Sequence, residues 1–120
     1  GPLSRGRPHP RTFGTFPRVL GYYVRERRLL DLPTAVQKMT WDPCRKLGLV
    51  DRGRLQPGCV ADLVLFDPAP VSDRATYEAP ITYPVGIHHV FVNGVAVVEA
   101  GEHTGARPGR AVRKTRLEGC

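Results

Sequence analysis

The chain has 120 residues, a length that suits one domain, and 41% of them are hydrophobic, so it can bury a modest core. Its 13 glycines and 12 prolines favour many turns. Lysine and arginine outnumber aspartate and glutamate by 18 to 11, which gives a net charge of +7. Most of this excess lies near the two ends, because residues 55–103 contain one basic side chain, Arg74. Basic ends without an aromatic-rich basic strand are typical of solvated tails, which argues against specific binding of nucleic acid.

The cysteines and the hydropathy pattern indicate in which cellular compartment the chain is expected. Cys44, Cys59 and Cys120 are odd in number and widely spaced, so they indicate neither a disulfide framework nor a zinc knuckle. Reduced thiols of this kind indicate a cytoplasmic protein. No apolar run approaches the roughly 18 residues of a membrane helix, and no stretch has the pattern of a signal peptide. We therefore expect a cytoplasmic chain with no membrane partner.

In chain order, a helix is predicted after an initial loop at residues 1–14. Thr15 can cap this helix, because Pro17 then falls in its first turn, where proline is tolerated. Apolar side chains recur at three- and four-residue spacing, which is the pattern of an amphipathic helix: Phe16, Val19, Leu20, Tyr23 and Val24. Gly21 lies inside this pattern and indicates that a neighbouring segment approaches closely.

Two shorter helices follow. Asp31 is predicted to open the second, which has Leu32, Ala35, Val36 and Met39 on one face. Thr40 or Asp42 can cap a third helix with Pro43 at its first position and residues 44–47 in its body. Gly48 is well placed to end that helix in the left-handed conformation.

The hydropathy period changes from helical to alternating after Leu49. Residues 63–66 form a continuous apolar run, which is typical of a strand buried on both faces. Residues 68–86 contain four prolines and are predicted to be a long loop. The clearest local signal is Asn93-Gly94, the preferred type I′ turn, which predicts a hairpin of strands 87–92 and 95–99.

These elements predict an α+β fold, with helices first and a small antiparallel β unit second. The expected segments are a loop at 1–14, helices at 15–48, the β unit at 49–105 and a basic flexible tail at 106–120. Two short helices with a three- or four-stranded sheet form a marginal free domain, so the chain resembles part of something larger.

His9 and Arg11 are the first candidate functional residues. A loop histidine can act as an acid, a base or a metal ligand, and an arginine can bind a carboxylate. The alternative is a loop near a chain end that merely contains them. His88 and His89 are adjacent in a predicted strand and therefore point to opposite faces, so they cannot readily share a metal ion. His103 is an isolated histidine in a glycine-rich turn, with no candidate partner in the sequence around it.

Asp62 precedes the predicted buried strand, and we expect its carboxylate to accept backbone N–H groups rather than to act in catalysis. Cys44 and Cys59 have no activating neighbour in the sequence. Common metal-ligand and nucleophile motifs are missing from the chain. The residues alone therefore contain no recognisable catalytic set and no metal site.

Three stretches resemble one family. They are "HPRTFGTFPRVLGYYVRE" (9–26), "AVQKMTWDPCRKLGLVDRGRLQPGCVADLVLFDP" (35–68) and "VFVNGVAVVEAGEHTGARPGR" (90–110). They are similar to the C-terminal end of the N-acyl-D-amino-acid deacylases (D-aminoacylases), which belong to the metal-dependent amidohydrolase superfamily. The resemblance covers about residues 8–114, and its first and last stretches are the more specific to the D-aminoacylase branch.

The resemblance implies a (β/α)8 barrel that holds zinc and a small β-sandwich built from both chain ends. Residues 15–47 would be the last barrel helices, and residues 54–67 with 87–99 would be the C-terminal half of the sandwich. The metal ligands would lie upstream of this chain, and Gly1 would follow the catalytic aspartate of a Ser-Asp-Gly motif. His9 and Arg11 would then lie on the substrate-pocket rim, on the loop after the last barrel strand.

Two functional hypotheses follow. In the first, the chain is a fragment of a hydrolase that cleaves N-acyl-D-amino acids, and it is inactive alone because it lacks the metal ligands. In the second, it is a stand-alone, non-catalytic binding or assembly module. In the fragment hypothesis, apolar side chains that the rest of the enzyme would cover are expected to be bare and to drive self-association: Val19, Leu20, Val24, Leu63 and Phe66.

Overall fold

The computed structural model describes residues 6–113. Within them the elements are α1 (Arg11–Arg18), a π-helix (Val19–Glu26), α2 (Leu32–Met39), α3 (Trp41–Leu47), β1 (Leu63–Phe66), β2 (Ile87–Val92), β3 (Val95–Glu99) and β4 (Glu102–His103). The predicted α+β class is confirmed. The expectations for Gly1, for Cys120 and for residues 114–120 of the basic tail lie outside the described residues.

The chain forms two compact units. Among the described residues, the first contains 6–35 together with 66–87, and the second contains 36–65 together with 88–113. Each unit combines segments that are distant in sequence, so neither is one continuous stretch of the chain.

In the first unit, the helix begins earlier than its sequence suggests. The expectation that Thr15 caps it is wrong, because α1 begins at Arg11 after Pro10, so residues 11–14 of the predicted loop are helical. The Thr15 hydroxyl instead donates to the Arg11 carbonyl within the helix, at 2.6 Å. Pro17 lies inside α1 rather than at its start.

Pro17 carries no N–H, so it removes one bond from the helical ladder. The π-helix follows directly, and its end has a five-residue hydrogen bond from the Arg27 N–H to the Tyr22 carbonyl, 2.8 Å long. π-Helical turns of this kind are uncommon and concentrate at functional sites.

Val71 is the centre of the first unit's core, although it lies in the stretch predicted to be a long loop. It is 1% exposed. A Cβ at Gly21 would lie 2.5 Å from the Val71 carbonyl oxygen, and a Cβ at Gly86 would lie 2.6 Å from the Val71 Cα. The close approach expected at Gly21 is therefore confirmed, and the neighbour is this loop. Ser72 and Val85 form an antiparallel bridge beside it.

The second helix has its predicted cap, whereas the third agrees only at its end, because the Thr40 side chain makes no capping hydrogen bond and Pro43 is the third residue of α3 rather than the first. The Asp31 carboxylate accepts the Thr34 N–H at 2.8 Å, as a helix-opening aspartate should. Hydrogen bonding from the Thr34 side chain, together with this backbone N–H, lowers the pKa of Asp31 below its usual value. Gly48 ends α3 with φ of 73°, in the predicted left-handed conformation.

The second unit is built on a sheet of strand order β1-β2-β3-β4, in which β2 and β3 are antiparallel, as are β3 and β4. The predicted bounds of β2 and β3 are confirmed. Asn93 and Gly94 have φ of 50° and 77°, which is the type I′ combination. The short strand β4 was missed by sequence, because it follows Ala100-Gly101, a turn pair that carries no strong hairpin signal.

Exposure differs from expectation in two places. The prediction that β1 is buried on both faces is wrong for the described chain, since Val64 and Leu65 are 56% and 57% exposed. Leu20, which was expected to be bare, is 7% exposed and belongs to the core. Val19, Val24, Leu63 and Phe66 are half-buried.

The core of the described residues is small. It has three buried hydrophobic side chains, Leu20, Ala35 and Val71, whereas 13 large hydrophobic side chains are exposed. No helix within residues 6–113 combines the length and the apolar character that crossing a membrane requires.

Candidate active-site groove

One groove in the first unit brings together the two sequence-predicted site residues. Its volume is about 580 Å³, within the usual range of small-ligand sites. His9 and Arg11 both line it, His9 from the loop before α1 and Arg11 from the first position of that helix. The opposite wall is formed by Asp73 and by residues 75–78.

His9 is fixed by both of its ring nitrogens. Its Nδ1 accepts the backbone N–H of Arg11 at 3.1 Å, and its Nε2 lies 3.0 Å from the Tyr77 hydroxyl oxygen. The two rings also meet edge to face, with centroids 5.2 Å apart. The interaction holds the loop before α1 against the opposite wall of the groove.

The two arginines of the groove differ in their partners. The Arg18 guanidinium donates to the Asp73 carboxylate at 3.3 Å, and this hydrogen bond raises the pKa of Arg18 above its ordinary value. Arg18 also stacks over the Tyr22 ring, 4.6 Å from its centroid. Within residues 6–113 the Arg11 guanidinium forms no ion pair, so it is the groove cation available to an anionic ligand.

Sequence reasoning missed Arg18, Asp73 and Tyr77 in this groove. Arg18 and Asp73 are 55 residues apart, and His9 and Tyr77 are 68 apart. The sequence around residues 73–77 has no local pattern that indicates a functional role. That role depends on contacts between these residues and the distant segment around α1. Only the His-Pro-Arg sequence before that helix carried a signal.

The remaining candidates do not line the groove. The Asp62 carboxylate accepts the Asn93 N–H at 2.8 Å and pairs with Arg52, so the predicted structural role is confirmed. His88 is exposed and His89 half-buried, as expected for adjacent residues of a strand. The His103 Nδ1 accepts the Gly105 N–H at 2.9 Å.

The donor set does not fit a metal ion. Across residues 6–113, no three histidine, cysteine, aspartate or glutamate side chains come close enough to hold one. Cys44 and Cys59 are both free thiols. The groove can therefore bind and orient an anion through its own side chains, but it supplies no metal centre.

Comparison with known proteins identifies relatives of this chain. The chain is 52% identical to the D-aminoacylase of Alcaligenes xylosoxydans xylosoxydans over 109 residues, which are 91% of this chain and 22% of that enzyme. It is 56% identical over 106 residues to the N-acyl-D-aspartate deacylase of the same organism, covering 88% of this chain and 21% of the relative. The chain thus spans about a fifth of the length of the curated relatives that it matches.

The crystal structure of a relative contains a segment with the same fold as this chain. The crystal structure of N-acyl-D-glutamate deacylase from Bordetella bronchiseptica, complexed with zinc and a phosphonate mimic of the tetrahedral intermediate, superimposes with a TM-score of 0.75 at 49% identity. The match covers 90% of this chain and 21% of that structure. Residues 2–98 also match the sequence profile of the amidohydrolase family. The chain therefore belongs to the amidohydrolase family.

Proposed function

We propose that the chain is the C-terminal part of a D-aminoacylase-like hydrolase. The intact enzyme hydrolyses an N-acyl-D-amino acid to a carboxylate and a D-amino acid by means of a metal-activated water. Identity above 50% to a D-aminoacylase and to an N-acyl-D-aspartate deacylase, over about nine-tenths of this chain, supports this assignment.

The observation that carries the proposal is the Arg11 guanidinium, which lines the groove without an ion pair among residues 6–113. An N-acyl amino acid has an α-carboxylate, and a guanidinium can bind it through two parallel hydrogen bonds. In this proposal Arg11 and His9 form the rim of the substrate pocket. Arg11 binds the carboxylate, and His9 holds the adjoining loop.

The metal chemistry is assigned to other parts of the full-length enzyme. The described residues contain no metal-binding cluster, so this chain's contribution is substrate binding and orientation. The proposal includes the expectation that the 120-residue chain alone has no deacylase activity. It also places residues 15–47 with the last barrel helices, and residues 54–67 and 87–99 with one half of a β-sandwich.

A second candidate function is a stand-alone binding or assembly module. The observation in its favour is the balance of surfaces, since 13 large hydrophobic side chains are exposed in the described residues and only three hydrophobic side chains are buried. Such surfaces are typical of a chain that packs against a partner. Both proposals therefore include association, either with the remainder of an enzyme or with a second copy of the chain.

Segment exchange separates the two candidates. We would replace the matching 109 residues of the A. xylosoxydans D-aminoacylase with those of this chain and measure hydrolysis of N-acetyl-D-amino acids, with zinc content as the folding control. The deacylase proposal expects activity within about tenfold of the parent, because the packing and the groove are retained, and a difference of that size is only about 1.4 kcal/mol. It expects none from the isolated chain.

An exchange enzyme that binds zinc but does not turn over would contradict the deacylase proposal. In that case the module hypothesis would be tested by sedimentation of the isolated chain over a range of concentrations. Concentration-dependent dimers or larger species support association, and a monomer throughout argues against it.

A further inference from the structure

Tyr77 is held in place by His9 from the other wall of the groove and by Arg7 from the loop before α1. Its hydroxyl lies 3.0 Å from His9 Nε2, its ring packs edge to face on the imidazole, and its carbonyl accepts a hydrogen bond from the Arg7 guanidinium at 2.9 Å. The turn that carries it is closed by the Thr76 N–H donating to the Ala79 carbonyl, at 3.2 Å. Although the Tyr77 side chain is 68% exposed, its position is thus specified at three points.

The hydrogen bonds of His9 determine which atom of this pair donates. Nδ1 accepts the Arg11 N–H, so in the neutral ring the hydrogen must be on Nε2. Nε2 then donates to the Tyr77 hydroxyl oxygen, which acts as the acceptor. A tyrosine hydroxyl that accepts one bond still has its own hydrogen to donate.

This hydrogen is available to a ligand. Within residues 6–113, His9 is the hydrogen-bond partner of the Tyr77 hydroxyl, and Tyr77 lines the same groove as Arg11. The groove therefore presents a guanidinium and a phenolic O–H, both of which are donors suited to carboxylate oxygens. His9 does not need to touch the ligand in order to influence its binding.

We propose that Tyr77 is a substrate-binding residue that donates its hydroxyl hydrogen to the carboxylate bound by Arg11, and that His9 is the residue that positions it. The inference rests on the proposed deacylase function, since that function supplies the N-acyl amino acid. It assigns a binding role to a wall of the groove that the sequence does not mark. No covalent step is involved.

The first test uses the 120-residue chain itself. Nitrogen-15 NMR of the imidazole rings, with His9→Asn used to assign the signals, distinguishes the two neutral tautomers. The proposal expects the His9 hydrogen on Nε2. A hydrogen on Nδ1 would overturn it, because the Tyr77 hydroxyl would then have to donate to His9 and would have no hydrogen left for a ligand.

The second test is kinetic and uses the segment-exchange enzyme with N-acetyl-D-glutamate as the probe. Tyr77→Phe keeps the ring contact and removes only the hydroxyl, so it should raise KM about tenfold with little change in kcat, the loss expected for one hydrogen bond to a charged group. Tyr83→Phe is the matched control, because Tyr83 is 75% exposed, packs edge to face on Phe13 and does not line the groove.

A double-mutant cycle separates positioning from simple support of the fold. The side chain of His9→Asn can still accept the Arg11 N–H but cannot reach Tyr77, so it should raise KM as Tyr77→Phe does. The double variant should be no worse than either single variant, because both remove one interaction. Additive effects, or an unchanged KM for Tyr77→Phe in an active exchange enzyme, would overturn this inference alone, whereas an inactive unsubstituted exchange enzyme would overturn the deacylase proposal.

Discussion

Gly21→Ala tests how tightly the π-helix packs against the Val71 loop. The new Cβ would lie 2.5 Å from the Val71 carbonyl oxygen and 3.2 Å from the Ser72 Cα. Both atoms belong to backbone, and the Val71 carbonyl is also fixed by Arg25, whose Nη1 donates to it at 2.7 Å and to the Pro68 carbonyl at 3.2 Å. The loop can therefore yield only by breaking hydrogen bonds and moving a core residue.

The expected cost follows from two opposing terms. Overpacking of this severity lowers the free energy of unfolding by about 3 kcal/mol. Replacing a helical glycine by alanine raises it by about 1 kcal/mol. The net loss of about 2 kcal/mol should lower the urea midpoint by about 1 M, given the usual slope of about 2 kcal/mol per molar for a small protein. Far-UV circular dichroism during urea unfolding measures this midpoint.

Gly109→Ala is the matched control, because a Cβ there meets no atom within 4 Å. It should leave the midpoint unchanged or raise it slightly. If Gly21→Ala also leaves the midpoint unchanged, the close packing of the π-helix on the Val71 loop is refuted as a source of stability.

Three further predictions concern caps and turns. Replacing Gly94 by alanine forces a side chain into a residue with φ of 77° and should cost about 1 kcal/mol, measured by urea unfolding. Asp62→Ala removes the acceptor of the Asn93 N–H and should cost about 1 kcal/mol in the same assay, with an unchanged midpoint arguing against this role. Because hydrogen bonding from Thr34 lowers the pKa of Asp31, its stabilisation is present above the ordinary carboxyl pKa and is lost as the pH falls through the lowered value. Asp31→Asn should remove that part of the acid dependence, and an identical pH profile of the urea midpoint would contradict it.

The elements that sequence predicted well are those fixed by local chemistry. The hairpin at Asn93-Gly94 and the left-handed stop at Gly48 need only a residue type and a dihedral angle, so a short stretch suffices to specify them. The start of α1 was mispredicted because Pro17 is usually a first-turn residue, whereas here it lies inside the helix and a π-helix follows it.

The parts that sequence did not predict depend on distant segments. Val71 lies in a proline-rich stretch, and it is buried because the π-helix and Gly86 approach it closely. Tyr77 is in the groove because it meets His9 from 68 positions away. Exposure of Val64 and Leu65 was also unpredictable, since an apolar run indicates what a strand can bury but not what the described residues cover.

The most direct test of the proposed function is the effect of Arg11 on catalysis in the segment-exchange enzyme. Arg11→Ala should lower kcat/KM for N-acetyl-D-amino acids about a hundredfold. Arg11→Lys should lower it less, because lysine keeps the charge but cannot donate two parallel hydrogen bonds to the carboxylate. Arg74→Ala, an exposed arginine of the same unit that does not line the groove, should leave kcat/KM unchanged. Equal kcat/KM values for the Arg11→Ala and Arg74→Ala enzymes would contradict the assignment of this groove to substrate binding.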